Sequence, residues 1–390
     1  MNQNELLQKM IPIRRKLHQY PELAFCEFQT AQAVCNVLKE WKVPFRSGVA
    51  KTGIVAELGQ EGPVILLRAD MDGLPVTEET GLPFASQNPG VMHACGHDIH
   101  MSCLLGCMML LREHPPAHGR IRFVFQPAEE GTGGAEPMIR EGAANGISAA
   151  AALHVKPRLQ PGRIACMPGP YYASPDEFSI VITGRGGHGG YPHLAVNPLP
   201  AAAELATALT AAGQAAASGG EKCVLSVCAI NGGNSYNVIP DQVTVQGTVR
   251  TFTPDLRDRM EHEIGSLANR ICKHYKVEQQ FTFRRLYPPV YNDPELTDLL
   301  FETGKDLLGE ENVIRETAPF MGGEDFAYFA QQAKGVLFHL GCGGNHPLHS
   351  SHFIAQEQCI WTGSRMLEQL ARNFLKEEER TIGTAKKEEA

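Results

Sequence analysis

Nine consecutive residues, Met92-His93-Ala94-Cys95-Gly96-His97-Asp98-Ile99-His100, carry one thiol, three imidazoles and a carboxylate. A plain core or loop has no reason to hold polar donors at that density, so the fold must bring them to a use. One glycine separates Cys95 from His97, and in an extended or tightly turned loop both donor atoms reach a common point. Sulfur with imidazole suits zinc or a neighbouring first-row metal. Taken alone, C-x-H reads more readily as a buried free cysteine beside a hydrogen-bonded histidine. The rest of the chain decides, because further ligand types stand at strand ends.

Those strands alternate with helices. The opening segment, with Leu6, Leu7, Met10, Ile13 and Leu17 at helical spacing, predicts a helix interrupted or bent near Pro12. A second helix is expected from Thr30 to Trp41. Strands follow at 53–58 and 64–68, then a helix after His100 through Leu111, a strand at 121–125, a helix at 137–141 and a strand at 149–154. This alternation argues for an α/β fold, a mixed sheet between helices, with chemistry in loops at the carboxyl ends of strands. The strand 64–68 runs into Asp70-Met71-Asp72, the next into Glu129-Glu130-Gly131, and the alanine-rich one ends in His154. Adjacent side chains on an extended stretch point opposite ways, so Glu129 and Glu130 can do different work, one binding metal and the other facing water as general base.

From Phe178 the texture changes. Gly184, Gly186 and Gly189 satisfy G-x-G-x-x-G, but Pro192, Pro198 and Pro200 delay the helix to Leu199, which excludes a dinucleotide fingerprint. Strand 178–183, helix 199–212, strands 222–230 and 242–252, helix 254–275 and strand 279–285 give the split βαβ order of a small α+β, ferredoxin-like domain. It reads as an insertion, with a catalytic domain in two parts, 1–177 and 289–376. A helix from Glu295 to Leu308 precedes Met321-Gly322-Gly323-Glu324-Asp325-Phe326, where Gly323 lets backbone approach a ligand. The strand 336–340 precedes His346, His349 and His352; one metal ligand is expected among them, and spacing does not say which. The final helix is expected at 355–375 and a charged, disordered tail at 377–390.

A formal net charge of -8 offers no basic face for a phosphate backbone, so nucleic acid is not an expected partner. No apolar run reaches 18 residues and the first residues do not read as a signal peptide, so no membrane association is expected and a cytoplasmic location is. Eleven cysteines without framework spacing read as reduced core residues, Cys95 excepted.

The ordered motifs Arg14-Arg15-x-Leu17-His18-x-x-Pro21-Glu22-Leu23, Arg68-Ala69-Asp70-Met71-Asp72-Gly73-Leu74-Pro75, His93-Ala94-Cys95-Gly96-His97-Asp98, Gln126-Pro127-Ala128-Glu129-Glu130, Gly186-Gly187-His188 and Met321 to Phe326 resemble the M20 metallopeptidase superfamily, over about residues 5 to 376. The match is strongest to its amidohydrolase branch, which includes hippurate hydrolase, N-acyl-amino-acid amidohydrolases and indole-acetyl-amino-acid hydrolases. The resemblance implies two divalent ions per subunit, zinc, manganese or cobalt, bridged by Cys95. It implies one ion also held by His97 and His154, the other by Glu130 and His352, with Glu129 as general base. It further implies that the inserted domain is a lid and homodimerisation module, that His188 reaches across from a second subunit to the oxyanion, and that Asn237 and Arg250 hold a substrate carboxylate. Asp70, Asp72, Asp98 and His100 are expected to support the ligands. Hydrolysis of a small N-acyl amino acid is the expected reaction. A dipeptidase or carboxypeptidase on the same scaffold is the alternative enzyme, and a module holding one structural zinc is the alternative outside catalysis.

Overall fold

The computed structural model describes residues 1–131, 133–218 and 222–388. The chain divides into two compact units, the first comprising Met1–Tyr171, Tyr291–Ala318 and Asp325–Ala390, the second Tyr172–Val290 and Pro319–Glu324.

In the first unit, eight strands form one mixed sheet in the order Phe45–Val49, Gly53–Gly59, Arg120–Gln126, Val64–Asp70, Ala149–Lys156, Lys334–Gly341, Ile164–Cys166, Val313–Arg315. Val64–Asp70 pairs in parallel with both its neighbours, and Ala149–Lys156 pairs in parallel with Lys334–Gly341. Val64–Asp70 is buried at every position, as a central strand covered on both faces must be. The helix His97–Glu113 is buried at every residue from His97 to Leu111 and packs between the helices Gln3–Gln19 and Cys359–Glu388. From Cys103 to Leu111 the helix is apolar all round, which places it inside a core rather than on its surface.

The structure departs from the interruption expected at Pro12 and from the disordered tail. The first helix, Gln3–Gln19, runs unbroken through Pro12. That residue lies on the exposed side, where water can satisfy the carbonyl that loses its hydrogen bond. The segment expected as a disordered tail continues the last helix to Glu388. Its residues from Lys376 are rich in Lys, Glu and Ala, strong helix formers attached to an already nucleated helix. Residues 389 and 390 of that expected tail lie outside the described residues.

The second unit is a four-stranded antiparallel sheet in the order Cys223–Asn231, Gln242–Thr251, Ser174–Thr183, Glu278–Arg284, packed against helices Leu199–Ser218 and Pro254–Tyr275. Inward positions of Ser174–Thr183 alternate with outward ones, and Phe178, Ile180 and Ile182 join the helix residues Leu205, Leu209, Ile264 and Leu267 in one core. The helix Pro254–Tyr275 starts at the N-cap Thr253, whose hydroxyl accepts from the Leu256 amide, with Pro254 at its first position. Arg257 donates from Nε and Nη2 to the two carboxylate oxygens of the buried Asp176, at 2.7 and 2.6 Å. This unit takes in 172–177, 289–290 and 319–324, beyond the expected 178–288. The reason is local: Ser174–Thr183 pairs with Gln242–Thr251 along its whole length, and the Ala173 amide donates to the carbonyls of Phe320 and Gly322.

Candidate metal centre

Three parallel strands of the first unit end at one place. Val64–Asp70 delivers Asp70 and Asp72, Arg120–Gln126 leads to Glu129 and Glu130, and Ala149–Lys156 carries His154 near its end. Cys95 and His97 meet them at the start of the helix His97–Glu113. Gly96 between them has φ of 85°, and a Cβ there would stand 2.5 Å from Val155 Cγ2. Only glycine fits both the left-handed turn and the close approach.

The donor atoms of Cys95, His97 and His154 lie within 4.8 Å of one another, as do those of Cys95, Glu130 and His349, and those of His97, Glu129 and Glu130. The first two triplets share the sulfur of Cys95. His154 Nε2 is 3.4 Å from that sulfur, and His349 Nε2 is 3.3 Å from Glu130 Oε1. His97 Nε2 is buried and has no hydrogen-bond partner, and Glu130 Oε1 faces the His349 ring. Lone pairs aimed at a shared point and left unbonded fit a cation.

The local charges say the same. Burial, followed by Glu130, Glu129 and Asp70, pushes the Cys95 thiol well above its ordinary range, so the protein's own groups oppose the thiolate. Burial would lower the His97 imidazole, but Asp70, Asp72 and Glu130 overcome it and push it up to about 10. Burial, then the neighbouring His100, holds His154 neutral. A divalent cation among these donors reverses the first two tendencies, favouring thiolate and neutral imidazole.

His349 stands where His352 was expected. The His349 amide donates to the Ala94 carbonyl at 2.9 Å, which ties that residue to the Cys95 loop, and its φ of 65° turns the chain there. His352 lies three residues on and is exposed to the same degree as His349. Its Nδ1 faces Ser351 Oγ at 2.9 Å and Glu79 Oε2 at 3.7 Å, and it joins no donor cluster among the described residues. An irregular turn has no periodicity to rank three histidines, so nothing in the spacing separated them.

Behind the donors, Asp72 accepts from the amides of Glu129 at 3.1 Å and Glu130 at 2.9 Å, while its own carbonyl meets His97 Nδ1 at 2.9 Å. Glu27 stands outside the residues that the sequence motifs mark for the site. It accepts from the amide of Ala128, whose φ is 54°, and from the Thr52 hydroxyl at 2.6 Å, and so fixes the turn that presents Glu129. Asp98 supports something else. It pairs with Arg14 Nε at 2.7 Å and His18 Nδ1 at 2.8 Å, an anchor between the first helix and the central one.

The remaining expected residues belong to the second unit. His188 is exposed on a two-residue strand paired with Val238–Ile239, next to Asn237, whose Oδ1 accepts from Ser235 Oγ. Gly190 donates its amide to His188 Nδ1 at 3.0 Å, which leaves the ring proton of a neutral His188 on Nε2. Arg250 donates to the Met321 carbonyl at 3.1 Å and to Thr248, and burial lowers its pKa. Gly323 packs on Pro175, where a Cβ would meet the ring at 2.5 Å.

The model of the peptidase family M20/M25/M40 matches residues 66–373. The chain is 38% identical over 378 residues to N-acetyl-L-cysteine deacetylase of Bacillus subtilis, covering 96% of this chain and 90% of that protein. It is 36% identical over 372 residues to thermostable carboxypeptidase 1 of Saccharolobus solfataricus, covering 92% and 94%. Among solved structures it resembles the YXEP protein of Bacillus subtilis, described as a dinuclear metal binding peptidase, with a TM-score of 0.85 at 34% identity over 96% of this chain and 99% of that one.

Proposed function

The chain belongs to the peptidase family M20/M25/M40, and from that premise we propose that it cleaves small N-acyl amino acids into a carboxylate and an amino acid. It is a metal-dependent hydrolase of amide bonds. The observation that carries the finer reading is the pair of donor triplets meeting at the Cys95 sulfur beside Glu129. We assign one cation to Cys95, His97 and His154 and the other to Cys95, Glu130 and His349. Zinc, manganese and cobalt all suit that donor set. Bound there, the cations supply Lewis acidity toward the amide carbonyl and make water acidic near neutral pH.

The chain's own groups do the rest. Glu129, held through its backbone by Asp72, takes the proton of the attacking water and returns it to the amine as the C–N bond breaks. His188, with its proton on Nε2, is a donor for the oxyanion, supplied by a second copy of the chain in a homodimer formed through the inserted domain. That domain acts as a lid. Arg250 and Asn237, with the backbone at Gly323, receive the substrate carboxylate, for which a guanidinium has the matching fork. We read a cytoplasmic location from eleven cysteines without framework spacing. No helix among the described residues is long and apolar enough to cross a membrane.

The likeness to a carboxypeptidase favours a second reading, a peptidase on the same scaffold. A panel of N-acetyl and N-benzoyl amino acids against dipeptides separates them. The N-acyl reading expects kcat/KM on the best acyl substrate at least about tenfold above any dipeptide, a difference of about 1.4 kcal/mol in transition-state binding. A preference for dipeptides supports the peptidase instead.

A further inference from the structure

A second histidine, His100, lies beside His154 and belongs to neither of the triplets that share Cys95, though its donor atom lies within 4.8 Å of those of Asp70 and His97. The Val155 amide donates to His100 Nε2 at 2.9 Å, so that nitrogen carries the lone pair. The ring proton is therefore on Nδ1, which donates to Asp70 Oδ1 at 2.6 Å. Asp70 is held in turn by Arg68 Nη1 at 2.8 Å, and the same guanidinium reaches Asp325 Oδ1 and Gln126 Oε1, each at 2.8 Å. Arg68, Asp70 and His100 are all at most 1% exposed.

The place of this chain in the sheet explains its use. Pairing between Val64–Asp70 and Ala149–Lys156 stops at Arg68 opposite Ala152. Three residues on, the Val155 amide goes to an imidazole instead of a strand. The Val155 carbonyl meets His154 Nδ1 at 2.9 Å. A carbonyl only accepts, so His154 Nδ1 bears its proton, and the lone pair is left on Nε2, the atom facing the Cys95 sulfur.

We propose that His100, anchored by Asp70 and Arg68, is a positioning residue that clamps the Val155 peptide and thereby presents His154 Nε2 as a donor to the cation it shares with Cys95. This deepens the two-cation reading and rests on it. An apolar side chain of similar size fills the same space but leaves the Val155 amide and Asp70 without this partner. Ligand-orienting groups of this kind are worth about 10- to 100-fold in metal affinity.

Calorimetric and visible-absorption titration of the metal-free full chain with Co²⁺ tests the clamp. Wild type is expected to bind two ions. His100→Leu is expected to weaken one of them by about 10- to 100-fold with altered d–d bands, the other staying within about threefold. In His100→Gln the amide oxygen accepts from Val155, and affinity is expected to return to within about threefold of wild type. A Leu variant that binds both ions as wild type does, or a Gln variant as weak as Leu, overturns the proposal. If the Leu variant does not fold, nitrogen-15 spectra of the metal-free wild type decide. A proton on Nδ1 of both His100 and His154, with a coupling across the Val155 amide to His100 Nε2, supports the clamp, and a proton on Nε2 of either ring refutes it. Wild type that takes up no Co²⁺ contradicts the two-cation reading, and the same spectra then judge the clamp alone.

Discussion

Glu129→Gln is expected to keep both cations and to lose about 10²- to 10⁴-fold in kcat, the range that a positioned general base contributes. The substitution preserves shape and leaves the backbone bond to Asp72 in place, so the turn that presents residue 129 survives. What it removes is the capacity to accept a proton. Metal analysis beside steady-state kinetics separates this from a ligand role: loss of metal would make residue 129 a ligand, and a rate near wild type would remove the base assignment. Mixed with His188→Ala, the same variant is expected to regain part of the activity if sites are shared between subunits. No recovery argues for sites complete within one chain.

His349→Ala is expected to lose one of the two cations and at least about 100-fold in kcat/KM, more than the roughly 10- to 100-fold that a supporting residue costs. His352→Ala is expected to stay within about twofold, as exposed substitutions away from a site do. The contrast follows from the backbone, since only His349 is tied to the Ala94 carbonyl beside Cys95. Metal content and kinetics of the two variants check it. The reverse pattern, metal lost with His352 and kept without His349, would return the ligand role to the residue that the family resemblance implied.

These two predictions also mark how far the sequence reaches. Strands such as Val64–Asp70 and Ala149–Lys156 were legible because buried parallel strands are short, continuous apolar runs, and the polar residues that end them stand out. Cys95, His97, Glu129, Glu130 and His154 were legible for that reason, and the structure gathers all five. Short edge elements such as Phe45–Val49 and Val313–Arg315 were not, because three to five mixed residues carry no period. The choice between His349 and His352 depends on one backbone hydrogen bond across the fold, and the role of Glu27 on a left-handed turn a hundred residues away. Charge alone argues for disorder beyond Lys376, yet many of its residues are good helix formers and they continue the helix.

X-ray absorption at the metal edge of protein loaded with zinc or cobalt tests the central claim most directly, read beside the same measurement on Cys95→Ala. The account predicts two ions per chain and a sulfur neighbour seen by both, which disappears in the variant. Two bound ions with only nitrogen and oxygen neighbours, unchanged when Cys95 is replaced, would contradict it.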